Sequence, residues 1–203
     1  MKLRAWLVIL LMMSAPLWAR VDFALGPGGG LGLPLGGNIQ HYQPALGPGF
    51  DLRVTGFQPV VGFALTSSYY RFKGPASSNP LLDSSKFTHQ YVPIALCVLT
   101  DFSPLFTKPA VRPYFRFGLG PCYWDLRYGG QLLPTMDTGT SKQVDFVLTG
   151  ALGAEYRFGR LPLAAFAEFT ADYITSTHFE KYYYFDKDEY FALASVGIRY
   201  LFR

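Results

Sequence analysis

The sequence is poor in charge: only 16% of its 203 residues are Asp, Glu, Lys or Arg, against roughly a quarter in ordinary soluble domains. Such a chain has too few ionic side chains to cover a large wet surface. It is equally poor in long apolar runs. Beyond Ala19 no stretch approaches the ~18 consecutive apolar residues that a spanning helix needs, so any membrane crossing there must be made by strands. No Cys stands where a lipid anchor would attach, and the basic residues behind the formal charge of +4 are scattered rather than clustered. A nucleic-acid partner is therefore not expected.

What the chain has is aromatics at 17%, 21 Gly and 15 Pro. Met1 to Ala19 carries Lys2 and Arg4, an apolar run from Ala5 to Met13, then Ser14-Ala15-Pro16-Leu17-Trp18-Ala19. That order of basic, apolar and small residues is expected to be a cleaved secretory signal peptide over residues 1–19. Residues 20–203 are then a single domain of ordinary length.

Within that domain, period-two alternation marks eight segments: Val21 to Gly36, Ala45 to Phe57, Val60 to Lys73, Phe87 to Thr100, Arg112 to Tyr128, Gln143 to Phe158, Pro162 to Thr175 and Tyr190 to Phe202. The last is the clearest. Val196, Ile198, Tyr200 and Phe202 share one parity, opposite Ser195, Gly197 and Arg199. Links between segments alternate between tight, as at Gly56 to Pro59 and Gly159 to Leu161, and long, as at Lys73 to Lys86, Gly129 to Lys142 and Ser176 to Asp188. Short turns on one side and long loops on the other predict an all-β, eight-stranded, antiparallel up-and-down transmembrane barrel. Asp101 to Val111 departs from the pattern by being long where a short turn is due.

The faces are assigned by volume. Phe50, Phe63, Phe115, Phe117, Phe146 and Phe158 would overfill one small lumen, whereas the other parity is largely Gly, Ala, Ser and Thr. The large parity is thus placed toward lipid, and the inward parity then holds Asp51, Arg53, Arg116, Glu155, Arg157, Glu168, Asp172 and Arg199. An eight-stranded lumen is only wide enough for side chains to fill it, so these charges are expected to pair as an internal plug. A narrow channel for small apolar or ionic solutes is the alternative use of the same residues.

Three segments, P-Y-F-R-F-G-L-G at Pro113 to Gly120, T-G-A-L-G-A-E-Y-R-F at Thr149 to Phe158 and V-G-I-R-Y-L-F at Val196 to Phe202, resemble the eight-stranded outer-membrane barrel family that includes the OmpA transmembrane domain, OmpX and OmpW-like proteins. The resemblance implies residence in the outer membrane, contact with its lipids, and insertion by the outer-membrane assembly machinery. Arg203 after Phe202 departs from a family that ends on an aromatic.

Function is expected to lie in the loops. The last one places Phe179, Tyr182, Tyr183, Tyr184 and Phe185 among charged residues; the larger share is expected to be an aromatic girdle at the membrane interface, and the remainder a surface suited to extracellular host, matrix or lipopolysaccharide-like ligands. No catalytic residue, metal or cofactor is expected. Ser67, Ser68, Ser84, Ser85, Ser176, His89, His178 and Glu180 supply the residue types of a lipid-modifying enzyme, the minor alternative, without a recognisable motif. His41, His89 and His178 lie on separate segments and read as solvated loop histidines. Cys97 and Cys122 share the inward parity of neighbouring strands; with Cys97 opposite about Arg116, they are too far apart for a disulfide.

Overall fold

A computed structural model describes residues 21–56, 60–75, 83–106, 110–133, 142–175 and 188–202. Its strands in chain order are β1 (Asp22–Gly36), β2 (Ala45–Thr55), β3 (Val61–Ser68), β4 (Tyr70–Lys73), β5 (Phe87–Asp101), β6 (Val111–Tyr128), β7 (Gln131–Leu132), β8 (Lys142–Arg157), β9 (Leu163–Thr175) and β10 (Glu189–Phe202). β3 and β4 are two halves of one wall strand, and β7 only prolongs the hairpin at the end of β6. Every pairing is antiparallel, and β1 bonds both β2 and β10, so the eight wall strands close into a barrel with no free edge.

The wall obeys the alternation of its residues. In β10, Val196, Ile198, Tyr200 and Phe202 are exposed, while Arg199 and Leu201 are buried between them. The same holds in β5, where Ile94, Leu96 and Val98 point out and Ala95, Cys97 and Leu99 are buried. The outside is therefore a continuous apolar belt. Tyr69, Tyr123, Tyr173 and Tyr190 lie along its loop-side margin, with Phe23, Tyr156, Phe158, Tyr200 and Phe202 along the margin nearest the chain termini. The strand from Tyr190 to Tyr200 rises by about 25 Å at a typical barrel tilt, the height of a membrane-facing band. Among the described residues no helix is long and apolar enough to cross a membrane.

Turns follow local chemistry. Gly129 and Gly130 both take positive φ (58° and 90°) between the paired Tyr128 and Gln131, as a two-residue hairpin turn requires. Gly159, φ 54°, turns β8 into β9. The expected third segment is interrupted at Tyr69, which leaves the ladder and donates its N–H to the Pro48 carbonyl at 3.0 Å. Pro48 has no N–H of its own to return, so the regular exchange fails at that place.

Candidate functional site

The lumen is filled at two levels. Nearer the termini lies a layer of charge contributed by five strands. Arg199 Nε donates to Asp51 Oδ1 at 2.7 Å and its Nη1 reaches Glu155 Oε2 at 3.3 Å. Arg53 bonds Asp51 at 2.9 Å and Glu168 at 3.4 Å. Arg116 grips Glu168 with two nitrogens, at 2.6 and 2.9 Å. Arg157, with a quarter of its side chain exposed, closes the mouth of the layer by pairing Glu155 at 2.9 Å.

Small neighbours make room for these long side chains. Arg53 stands between Ala24 and Ala64, Arg116 beside Ala151, and Arg199 beside Ala164. Two aromatics support the guanidinium planes: Arg53 lies 4.0 Å above the Tyr114 ring and Arg199 3.6 Å above Phe166. A Cβ on Gly153 would collide with Tyr114, and one on Gly197 with Phe166, so the wall is bare where each ring presses against it. Tyr114 and Phe166 escape a reading of the charged residues alone. Their inward parity, shared with Arg116 and Glu168, is the signal that could have found them.

Toward the loops the lumen changes character. Tyr70, Phe72, Tyr91, Trp124, Phe191 and Leu193 form one buried apolar cluster. Tyr91 and Phe191 stack at 4.4 Å between ring centroids, and Phe72 and Phe191 at 5.2 Å. The connection from β1 to β2 folds over this plug, with Ile39 fully buried in it and Tyr42 packed against it. The inward parity is therefore not small throughout, as the volume of its mid-strand residues suggests. Its large members are confined to the loop-side ends of the strands.

Other expectations change in detail. His89 is not a solvated loop histidine: it is fully buried, stacked on Trp124 at 5.5 Å, with Glu189 at 3.7 Å. His41 is exposed beside Gln40. Ser84 and Ser85 form a short turn capped by Asp83, while Ser67 and Ser68 lie within β3. Cys97 faces Gly118 rather than Arg116, and Cys122 faces Pro93; both thiols are buried and unbonded to each other. His178, Glu180, Ser176 and the aromatic loop of Phe179, Tyr182, Tyr183, Tyr184 and Phe185 lie outside the described residues, as do residues 1–19 and Arg203. Among the described residues no group of three or more His, Cys, Asp or Glu is placed to hold a metal.

No protein-family model matches the sequence, and no curated protein does. Solved structures do match. A major outer membrane protein from Thermus thermophilus aligns over 90% of this chain and 100% of its own, with 12% identity and a TM-score of 0.56. Neisserial surface protein A aligns over 89% and 96%, with 15% identity and a TM-score of 0.55. The N-terminal β-barrel domain of Pseudomonas aeruginosa OprF aligns over 91% and 98%, with 15% identity and a TM-score of 0.50. At such identities the likeness is one of fold, and it covers nearly the whole length of each partner. The chain has the fold of the eight-stranded outer-membrane β-barrels.

Proposed function

We propose that the chain is a non-catalytic integral protein of the outer membrane, exported by the signal peptide at residues 1–19 and inserted by the outer-membrane assembly machinery, whose loops meet extracellular ligands. The filling of the lumen carries this reading. Among the described residues a layer of ion pairs and an aromatic plug above it lie in series, which supports a closed interior over a solute path. The apolar belt is suited to lipid, which leaves the loop end as the surface for partners. Its aromatic and charged loop, Phe179 and Tyr182 to Phe185 among Lys and Asp, has the composition of a surface that binds matrix, host or lipopolysaccharide-like molecules.

The test pairs two measurements on the refolded barrel. Planar-bilayer recording is expected to give no stable single-channel steps, and stable steps would promote the narrow channel instead. Binding to immobilised matrix glycans and to lipopolysaccharide-containing vesicles is then compared with a variant in which Phe179, Tyr182, Tyr183, Tyr184 and Phe185 are all replaced by Ser. Equal binding by a variant that folds normally would remove this loop from the proposal.

A further inference from the structure

Between the charged layer and the plug lies a cavity of about 60 Å³. Hydroxyl-bearing residues dominate its polar lining, among them Tyr70, Thr149, Thr170 and Ser195. Arg116 and Glu168 also face it, but they are committed to each other. Asp172 is different. It is 4% exposed and lines the cavity; its Oδ2 accepts the Tyr91 hydroxyl at 2.7 Å, while its Oδ1 has no hydrogen-bond partner among the described residues. Every other inward charge of the layer has an ion pair, and among the described residues Asp172 has none.

The arginines around it are engaged by other carboxylates. Arg157 stands at the partly exposed mouth, where water shares its charge. With Arg53, Arg116 and Arg199 it equals Asp51, Glu155, Glu168 and Asp172 in number, yet among the described residues the ion pairs of the layer all go to Asp51, Glu155 and Glu168. Above the cavity the inward groups are again acidic. Asp145 accepts the Trp124 indole N–H at 2.7 Å, and Glu189 lies near His89. Asp172 is thus enclosed without an ion pair among the described residues, and an enclosed unpaired carboxylate is costly.

We propose that this cavity is a site for one monovalent cation of the sodium class, held on Asp172 Oδ1 and the hydroxyl oxygens of Tyr70, Thr149 and Ser195. Hard cations take oxygen ligands. One available carboxylate oxygen among neutral hydroxyls matches a single charge rather than a divalent ion. The site is independent of what the loops bind.

Melting of the refolded barrel in NaCl against choline chloride, at equal total salt, tests the site, since choline is too large for the cavity. The melting temperature is expected to climb by about 3 °C for each tenfold rise in sodium beyond the binding midpoint, and Asp172→Asn is expected to abolish the dependence. Crystals of the unmodified protein grown in rubidium or thallium salt are expected to show an anomalous peak beside Asp172 Oδ1, a readout that survives if the variant does not fold. Identical melting in both salts with no such peak would mean that the cavity holds only water beside a protonated Asp172, and would overturn the proposal. A peak confined to the loops would do the same.

Discussion

Arg199 of β10 and Asp51 of β2 touch at 2.7 Å although their strands are not neighbours: the bridge passes over β1, at Gly26. Gly26 is the partner of Asp51, and any Cβ there would meet the backbone of Ile198 and Arg199. A missing side chain in one strand thus lets two others be tied together inside the closed wall.

Removing one member of such a layer leaves its partners charged and enclosed. Glu168 serves both Arg116 and Arg53, with a side chain 5% exposed, so Glu168→Ala should cost about 3 to 5 kcal/mol in urea unfolding of the refolded barrel. Glu155→Ala should cost less, because Arg199 keeps Asp51 and Arg157 is partly solvated. Glu180→Ala, in the loop, should change stability by no more than about 0.5 kcal/mol. Equal small losses from all three would mean that the carboxylates are solvated.

Two glycines should resist the smallest substitution. The added methyl of Gly153→Ala would strike Tyr114, which cannot retreat because Arg53 covers its face. Gly197→Ala would strike Phe166 beneath Arg199. Each is expected to lose about 1 to 3 kcal/mol, the usual cost of overpacking. Gly150→Ala, where the new methyl would meet only ordinary contact with Phe117, should be nearly neutral.

The thiols give a prediction about accessibility. Cys97 and Cys122 are buried in the lumen, each opposite a residue that is not cysteine. Neither should react with a water-soluble maleimide in the folded barrel, and both should react in urea. Reducing agent should leave gel mobility unchanged; a shift would reveal a disulfide.

The wall was legible in the sequence because strand parity is a local property: Val196, Ile198, Tyr200 and Phe202 declare one face without reference to any other strand. Parity also placed Asp51, Arg53, Arg116, Glu155, Glu168 and Arg199 on the inner face. Which of these meet was not legible, because Asp51 and Arg199 come together only when β1 closes the barrel. Register was equally hidden. Cys97 lies opposite Gly118 rather than Arg116 because the turn residues between β5 and β6 set the pairing, and Asp101 to Val111 carries no turn signal sharp enough to count from. The plug escaped for another reason. Tyr70, Phe72 and Tyr91 stand near strand ends, where aromatics equally suit a membrane-interface girdle, and only the interruption at Tyr69 and the packing of Phe191 show them turned inward.

The two layers should block the lumen independently. Phe191 stacks on both Phe72 and Tyr91, so Phe191→Ala opens the centre of the plug at a cost of about 3 to 5 kcal/mol. Conductance should nevertheless stay absent, because the linked Arg53, Glu168 and Arg116 still cross the lumen below. Truncating Arg116 and Glu168 together to Ala should also leave the barrel closed, now by the plug, at a cost in stability because Arg53 loses its Glu168 partner. Only the combined variant should show current in planar bilayers. Steps from either parent variant would show that one layer carries the whole seal.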